Sequence, residues 1–151
     1  MQPAFPLILA SGSPRRRELL DQMGLIYTVD SPDVDENFAG RPAETVLEIS
    51  RRKAAAVAAR HPNAVILAAD TLVFADEPLG KPHTPERAKE MLMALADNWH
   101  NVYTGITLID TNSGRVVRNV DRTRVHIAPM TEQEIDAYIA TGEPLDKAGA
   151  Y

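Results

Sequence analysis

Ser11-Gly12-Ser13-Pro14-Arg15-Arg16-Arg17 sets two hydroxyls and two or three guanidinium groups between a short apolar run and a proline-started helix. Free N–H groups at a helix start, hydroxyls and arginines suit phosphate oxygens, through the helix dipole and charge-assisted hydrogen bonds. The Gly-Lys-Ser/Thr ending of a Walker loop is absent. A capped helix with solvated arginines is the other reading. Asp70-Thr71 follows six apolar residues, Ala64-Val65-Ile66-Leu67-Ala68-Ala69. A carboxylate at a strand's carboxyl edge suits a hard cation or an oriented water, since open α/β sheets bind ligands there. An Asp capping a turn is the alternative. Asp33-Val34-Asp35-Glu36 gathers carboxylates that suit Mg²⁺ or Mn²⁺, although such runs are more often simply solvated. Lys53, Lys81 and Lys147 can each neutralise phosphate charge, or lie at the surface.

Other chemistry is less favoured. His61, His83, His100 and His126 lack zinc-ligand spacing and read as loop or strand residues. Trp99 and Tyr103 can stack on a base, but packing explains them as well. Ser11 and Ser13 have no histidine nearby in sequence, so a serine-hydrolase triad has no local support. Cations and carboxylates in one chain describe a metal–phosphate ligand and favour hydrolysis of a phosphoanhydride.

These groups need positioning. Pro6–Ala10 reads as a buried strand, and Ser13 and Pro14 as the cap and first position of a helix. Leu19, Leu20 and Met23 give that helix an apolar face, with Gly24 at its exit. Leu25–Val29 reads as a strand and Ser31–Gly40 as an acidic loop. Arg41–Arg60 is alanine-rich, with Val46, Ile49, Ala56 and Val57 near helical spacing. Ala64–Ala69 is a strand that Thr71–Phe74 can continue, and Pro78–Pro82 is loop. Thr84 and Pro85 start a helix with Ala88, Met91, Leu92 and Leu95 on one face. Val102–Ile109 and Arg115–Ile127 read as strands joined at Thr111-Asn112-Ser113-Gly114. Thr131-Glu132-Gln133-Glu134 is a capping box for a helix carrying Ile135, Tyr138 and Ile139 and stopping at Gly142. Strands alternating with helices, then a hairpin, predict a mixed α/β domain.

The chain has 151 residues and a net charge of −5, with 44% hydrophobic and 25% charged residues. These are ordinary globular values for one domain. The pI of about 5.3 argues against broad nucleic-acid binding. No apolar run suits a membrane helix, no signal peptide is recognisable at the start, and the absence of cysteine fits a cytoplasmic location.

The motifs resemble those of the Maf family of nucleoside triphosphate pyrophosphatases. The matching pieces are Leu9-Ala10-Ser11-Gly12-Ser13-Pro14-Arg15-Arg16, Asp33-Val34-Asp35-Glu36, Lys53-Ala54, Ala69-Asp70-Thr71, Gly80-Lys81-Pro82, Tyr103-Thr104-Gly105 and Thr141-Gly142-Glu143-Pro144 through Tyr151, in family order. The resemblance implies an α/β fold like that of inosine triphosphate pyrophosphatases: a mixed twisted sheet flanked by helices, with two lobes around a cleft. It implies cleavage of a nucleoside triphosphate to monophosphate and pyrophosphate, a divalent metal (Mg²⁺ or Mn²⁺), and a homodimer. It makes Asp70 the proton acceptor, and Arg15 and Thr71 specificity positions. Ser11, Ser13, Arg16, Glu36, Lys53 and Lys81 would line the phosphate and metal site, with Glu36 and Asp70 on the metal. Lys147 belongs to a matching stretch.

Ser-Pro-Arg-Arg, Asp-Thr and Asp-Lys-Ala-Gly-Ala-Tyr look like the dTTP/UTP branch, whose implied role is housecleaning of nucleotide pools. A 7-methyl-GTP pyrophosphatase and a nucleotide-binding regulator of septum formation are the alternatives. Two departures stand out. Ala96-Asp97-Asn98-Trp99-His100 replaces the usual Ser-Gly before the His, and Asn98 is expected to take the left-handed conformation there. Full-length relatives also continue past Tyr151 with a Gly-Ile-Gln-Gly segment holding a third specificity position. Residues 1–151 therefore read as a single Maf-like domain lacking its C-terminal part, which the resemblance implies would affect base selection and activity.

Overall fold

A computed structural model describes residues 5–151. The elements run β1 (Leu7–Leu9), α1 (Pro14–Gln22), β2 (Thr28–Val29), α2 (Pro42–Ala58), β3 (Val65–Ala75), β4 (Glu77–Leu79), α3 (Pro85–Leu95), β5 (Asn98–Asp110), β6 (Val116–Ile127) and α4 (Glu132–Ala140). Short 3₁₀ turns follow at Glu143–Asp146 and Ala148–Ala150. The strands form a six-stranded mixed sheet in the order β2-β1-β3-β5-β6, with β4 on β3. The mixed α/β expectation therefore holds. The chain divides into two compact units: residues up to Asp70 with Thr104–Val120, and Thr71–Tyr103 with Asp121–Tyr151.

In the first unit β1 runs parallel to β2 and to β3, with Leu7, Ile8 and Leu9 opposite Val65, Ile66 and Leu67. All three β1 residues are buried. This is why the strand is a continuous apolar run and not an alternating one. Ile8, Ala10, Ile66 and Ala68 share a core with Ala54, Val57 and Ala64. Strand side chains alternate between faces, so these even-numbered positions present one face of the sheet to α2. The helix answers with a buried stripe of Val46, Ile49, Ser50, Ala54 and Val57. Pro42 supplies its preset first turn.

The second unit is built on α3 and α4. Ala88, Met91, Leu92 and Leu95, the whole face expected for α3, are buried with Val73, Leu79, Ile135 and Ala150. Thr84 caps α3 by accepting from the Arg87 amide. Both halves of the Thr131–Glu134 capping box form. Lys89 of α3 pairs with Glu132 and Asp136 of α4.

Four expectations need correction. Of the apolar residues assigned to α1 only Leu20 is buried, while Leu19 and Met23 are 57% and 66% exposed. Adjacent residues lie about 100° apart round a helix, so Leu19 cannot share the face of Leu20. The strand expected over Leu25–Val29 shrinks to Thr28–Val29. Pro78 and Leu79, expected as the start of a loop, instead join Glu77 in a short antiparallel strand with Pro78 opposite Phe74. It is brief enough to tolerate a residue without an N–H. The left-handed residue after α3 is Asp97 (φ 53), not Asn98, which starts β5. A short polar side chain tolerates this region better than most.

Candidate active site

The site begins where β1 stops. Ala10 donates to the Leu67 carbonyl at 2.8 Å, after which the chain leaves the sheet. Ser13 then caps α1, its Oγ accepting from the Arg16 amide at 3.4 Å. Buried Ser11 accepts twice through Oγ, from the Ser13 amide at 3.1 Å and from Arg16 Nη1 at 3.0 Å. Two accepted bonds leave its own O–H hydrogen available for an anionic ligand. Burial pulls the Arg16 guanidinium below its usual value; the nearby Asp70 carboxylate opposes this, Arg15 adds to it, and Glu36 opposes it. Arg15 itself is exposed.

Parallel register brings the second group alongside. Leu9 pairs with Leu67, so β1 has ended before β3 reaches Asp70. Asp70 therefore lies within β3 at the carboxyl edge of β1, and not at the end of its own strand as expected. It keeps the parity of Ile66 and Ala68, the face that α2 covers. Lys53 projects from α2 onto it, Nζ to Oδ1 at 3.2 Å, and holds Glu36 Oε1 at 2.8 Å. The Asp70 and Lys53 side chains are only 18% and 17% exposed, whereas Glu36 is 59% exposed. Burial raises the Asp70 pKa above its ordinary value; Lys53 lowers it by charge and hydrogen bond, Glu36 raises it, and Arg16 lowers it. Desolvation wins.

The acidic loop is pinned from α2. Arg52 Nη1 donates to the carbonyls of Asp35 at 2.8 Å and Asn37 at 2.9 Å, bracketing Glu36. Glu48 accepts from Arg52 Nε at 3.1 Å, one helical turn away. Asp35 is spent on a local turn: its Oδ1 accepts from the Asn37 amide at 2.9 Å, which holds its pKa down.

Ser11, Ser13, Arg16, Glu36, Lys53 and Asp70 thus belong to one unit and meet in two linked clusters. The other expected residues lie in the second unit. Lys81 pairs with Asp146 at 3.3 Å and Lys147 with Glu143 at 2.6 Å. Thr71 is half-buried. Among the described residues no group of three or more His, Asp or Glu could hold a metal ion. Two carboxylates converging on one cation still suit Mg²⁺, which is commonly bound by one or two carboxylates plus substrate phosphates. The donor chemistry fits such an ion arriving with a phosphate ligand.

The sequence model of the Maf-like protein family matches residues 6–151. This chain belongs to the Maf-like family. It is 48% identical over 149 residues to the dTTP/UTP pyrophosphatase of Halalkalibacterium halodurans, covering 97% of this chain and 77% of that protein. The dTTP/UTP pyrophosphatase of Salinibacter ruber is 46% identical over 154 residues, with 100% and 76% covered. That of Symbiobacterium thermophilum is 47% identical, with 96% and 75% covered. Sequence reasoning on this Maf-like chain missed Arg52 and Glu48. Their i,i+4 spacing on a helix was visible, but the carbonyls that Arg52 holds belong to a loop fixed only by the fold.

Proposed function

We infer that this Maf-like chain is a nucleoside triphosphate pyrophosphatase that hydrolyses dTTP and UTP to the monophosphate and pyrophosphate. The observation that carries the reading is Asp70: a desolvated carboxylate with a raised pKa, held by Lys53 near the Ser11–Arg16 helix start. The dTTP/UTP pyrophosphatases to which the chain is similar supply the substrate class.

Asp70 acts as proton acceptor for the attacking water. A general base works best when its pKa is drawn toward the operating pH, and burial moves Asp70 in that direction. The water oxygen bonds to the α-phosphorus, the α–β bridging oxygen leaves with pyrophosphate, and the water proton passes to Asp70. Arg16 and Lys53 offset the phosphate charge, and the Ser11 hydroxyl donates to a phosphate oxygen. Glu36 and Asp70 would hold Mg²⁺ or Mn²⁺, which when bound polarises the phosphoryl group. Lys53 keeps both carboxylates placed in the absence of the ion. Lys81 and Lys147 of the second unit can each neutralise phosphate charge. Their present partners, Asp146 and Glu143, are 84% and 54% exposed and so weakly held. Arg15 and Thr71 select the base. The reading includes a homodimer in the cytoplasm. Exposed Leu19, Met23 and Ile26 support self-association, which light scattering reads directly.

The test is product identity. With Mg²⁺ or Mn²⁺, dTTP and UTP should yield monophosphate and pyrophosphate, ahead of CTP and 7-methyl-GTP. Diphosphate with orthophosphate, or a preference for 7-methyl-GTP, would contradict the assignment. Tight nucleotide binding without turnover would favour a regulator of septum formation.

A further inference from the structure

Nothing in the acid–base chemistry explains why α2 lies at the one height over the sheet that lets Lys53 reach Asp70. Three residues outside the site set it. A Cβ on Gly105 of β5 would lie 2.3 Å from the Val46 carbonyl oxygen and 2.4 Å from its carbon. The helix backbone rests directly on the bare glycine. Two residues on, with the same facing, Thr107 is fully buried and its Oγ1 lies 2.8 Å from Ser50 Oγ. Two further on, Ile109 packs on the cluster that holds Ala54 and Val57.

The steps match in length. Two strand residues span about 6.7 Å, and the four helical residues from Val46 to Ser50 rise about 6 Å. Positions 105 and 107 therefore meet Val46 and Ser50 in succession, and Ile109 follows on the cluster that holds Ala54. Lys53 sits beside Ala54 in the chain. A helix seated only by apolar side chains can slide or lift by a fraction of a residue. One touching backbone to backbone and fixed by a directional hydrogen bond cannot.

We propose that Gly105 and the Ser50–Thr107 hydroxyl pair are positioning residues for the reaction: they fix the height and register of α2, and through it the Lys53–Asp70 contact. The proposal deepens the pyrophosphatase reading and rests on it. Gly105→Ala forces the helix back by about 1 Å to regain an ordinary contact. A displacement of that size near reacting groups can lower turnover by about 100-fold.

The test places Gly105→Ala, Thr107→Val and Thr107→Ser in both the native and the Lys53→Met background, reading kcat and KM for dTTP. In the native background Gly105→Ala should lower kcat by about 100-fold with KM little changed. Thr107→Val should lower it less, and Thr107→Ser, which keeps the hydroxyl, should restore it. With Lys53 already gone, Gly105→Ala should cost no more than about threefold, because its effect travels through that side chain. An equal loss in both backgrounds would overturn the proposal. A second readout needs no turnover: ¹⁵N-lysine spectra of the full chain, with the Lys53 ammonium signal assigned by its loss in Lys53→Met. That signal should shift or exchange faster in Gly105→Ala and Thr107→Val and return in Thr107→Ser. An unchanged Lys53 signal in a folded Gly105→Ala protein would also overturn it. A native chain inactive on dTTP, yet showing the expected signal changes, would fail the pyrophosphatase reading and leave the seating of α2 standing.

Discussion

The Ser50–Thr107 pair makes a prediction about stability that depends on the direction of a hydrogen bond. Both residues are fully buried. Ser50 Oγ lies 2.9 Å from the Leu47 carbonyl, which can only accept, so the single Ser50 hydrogen is committed there. Thr107 must then donate to Ser50 Oγ across the 2.8 Å contact. The two deletions are consequently unequal. Thr107→Val removes one accepted bond from Ser50 and leaves the Leu47 bond intact. That is an ordinary net loss of about 1 kcal/mol. Ser50→Ala instead strands the Thr107 hydroxyl in a dry site, a penalty of about 2 kcal/mol. For a chain of this size each kcal/mol moves Tm by about 2–4 °C. Thermal unfolding should place Thr107→Val about 2–4 °C below the native protein and Ser50→Ala about 4–8 °C below it. The double variant should unfold no lower than Ser50→Ala alone, because the stranded donor is gone. Thr107→Val as damaging as Ser50→Ala, or a double variant showing the full sum, would refute the assigned direction.

Other outcomes follow from the same structure. Leu20→Ala should destabilise by about 2–5 kcal/mol and Leu19→Ala by less than about 0.5 kcal/mol, read by urea unfolding, because only Leu20 is buried. Gly149 has φ +71 and would place a Cβ 2.9 Å from Val73 Cγ1. Gly149→Ala should therefore cost about 2–4 kcal/mol in the same assay. Glu48 is pushed down to about 2, chiefly by its hydrogen bond from Arg51 and then by Arg52. A carboxylate depressed in the folded state contributes stability above its ordinary pKa and loses it as pH falls through the depressed value. Glu48→Gln should lower Tm at neutral pH, with the gap closing as pH approaches about 2; a gap that persists there would contradict the ion-pair account.

Much of this architecture is legible in the residues. The apolar runs of β1 and β3, the four-residue face of α3 and the Thr131 capping box follow from period and cap chemistry, which are local. Asp70 and the Ser11–Arg16 segment are legible as chemistry because few structural roles need those types together. What escapes is set by distance in space. Lys53 looks like any helix lysine until β3 brings Asp70 beneath it. Arg52 looks like surface charge until the loop carbonyls of Asp35 and Asn37 arrive. Gly105 signals a close approach by being a glycine inside a strand, but nothing in sequence names Val46 as the backbone that comes near. The α1 face misleads for a related reason: Leu19, Leu20 and Met23 are all apolar, and only packing decides which is covered.

The central claim is that Asp70 is the proton acceptor of a pyrophosphate-releasing hydrolysis. The most direct test compares pyrophosphate release from dTTP and UTP by this 151-residue chain and by its Asp70→Asn variant, with Tm measured on both. Loss of a general base predicts a fall of at least about 100-fold. Because burial holds the Asp70 pKa above its ordinary value, its charge opposes folding once ionised, so the Asn variant should unfold at or above the native temperature. Near-native release by a folded Asp70→Asn protein would contradict the account.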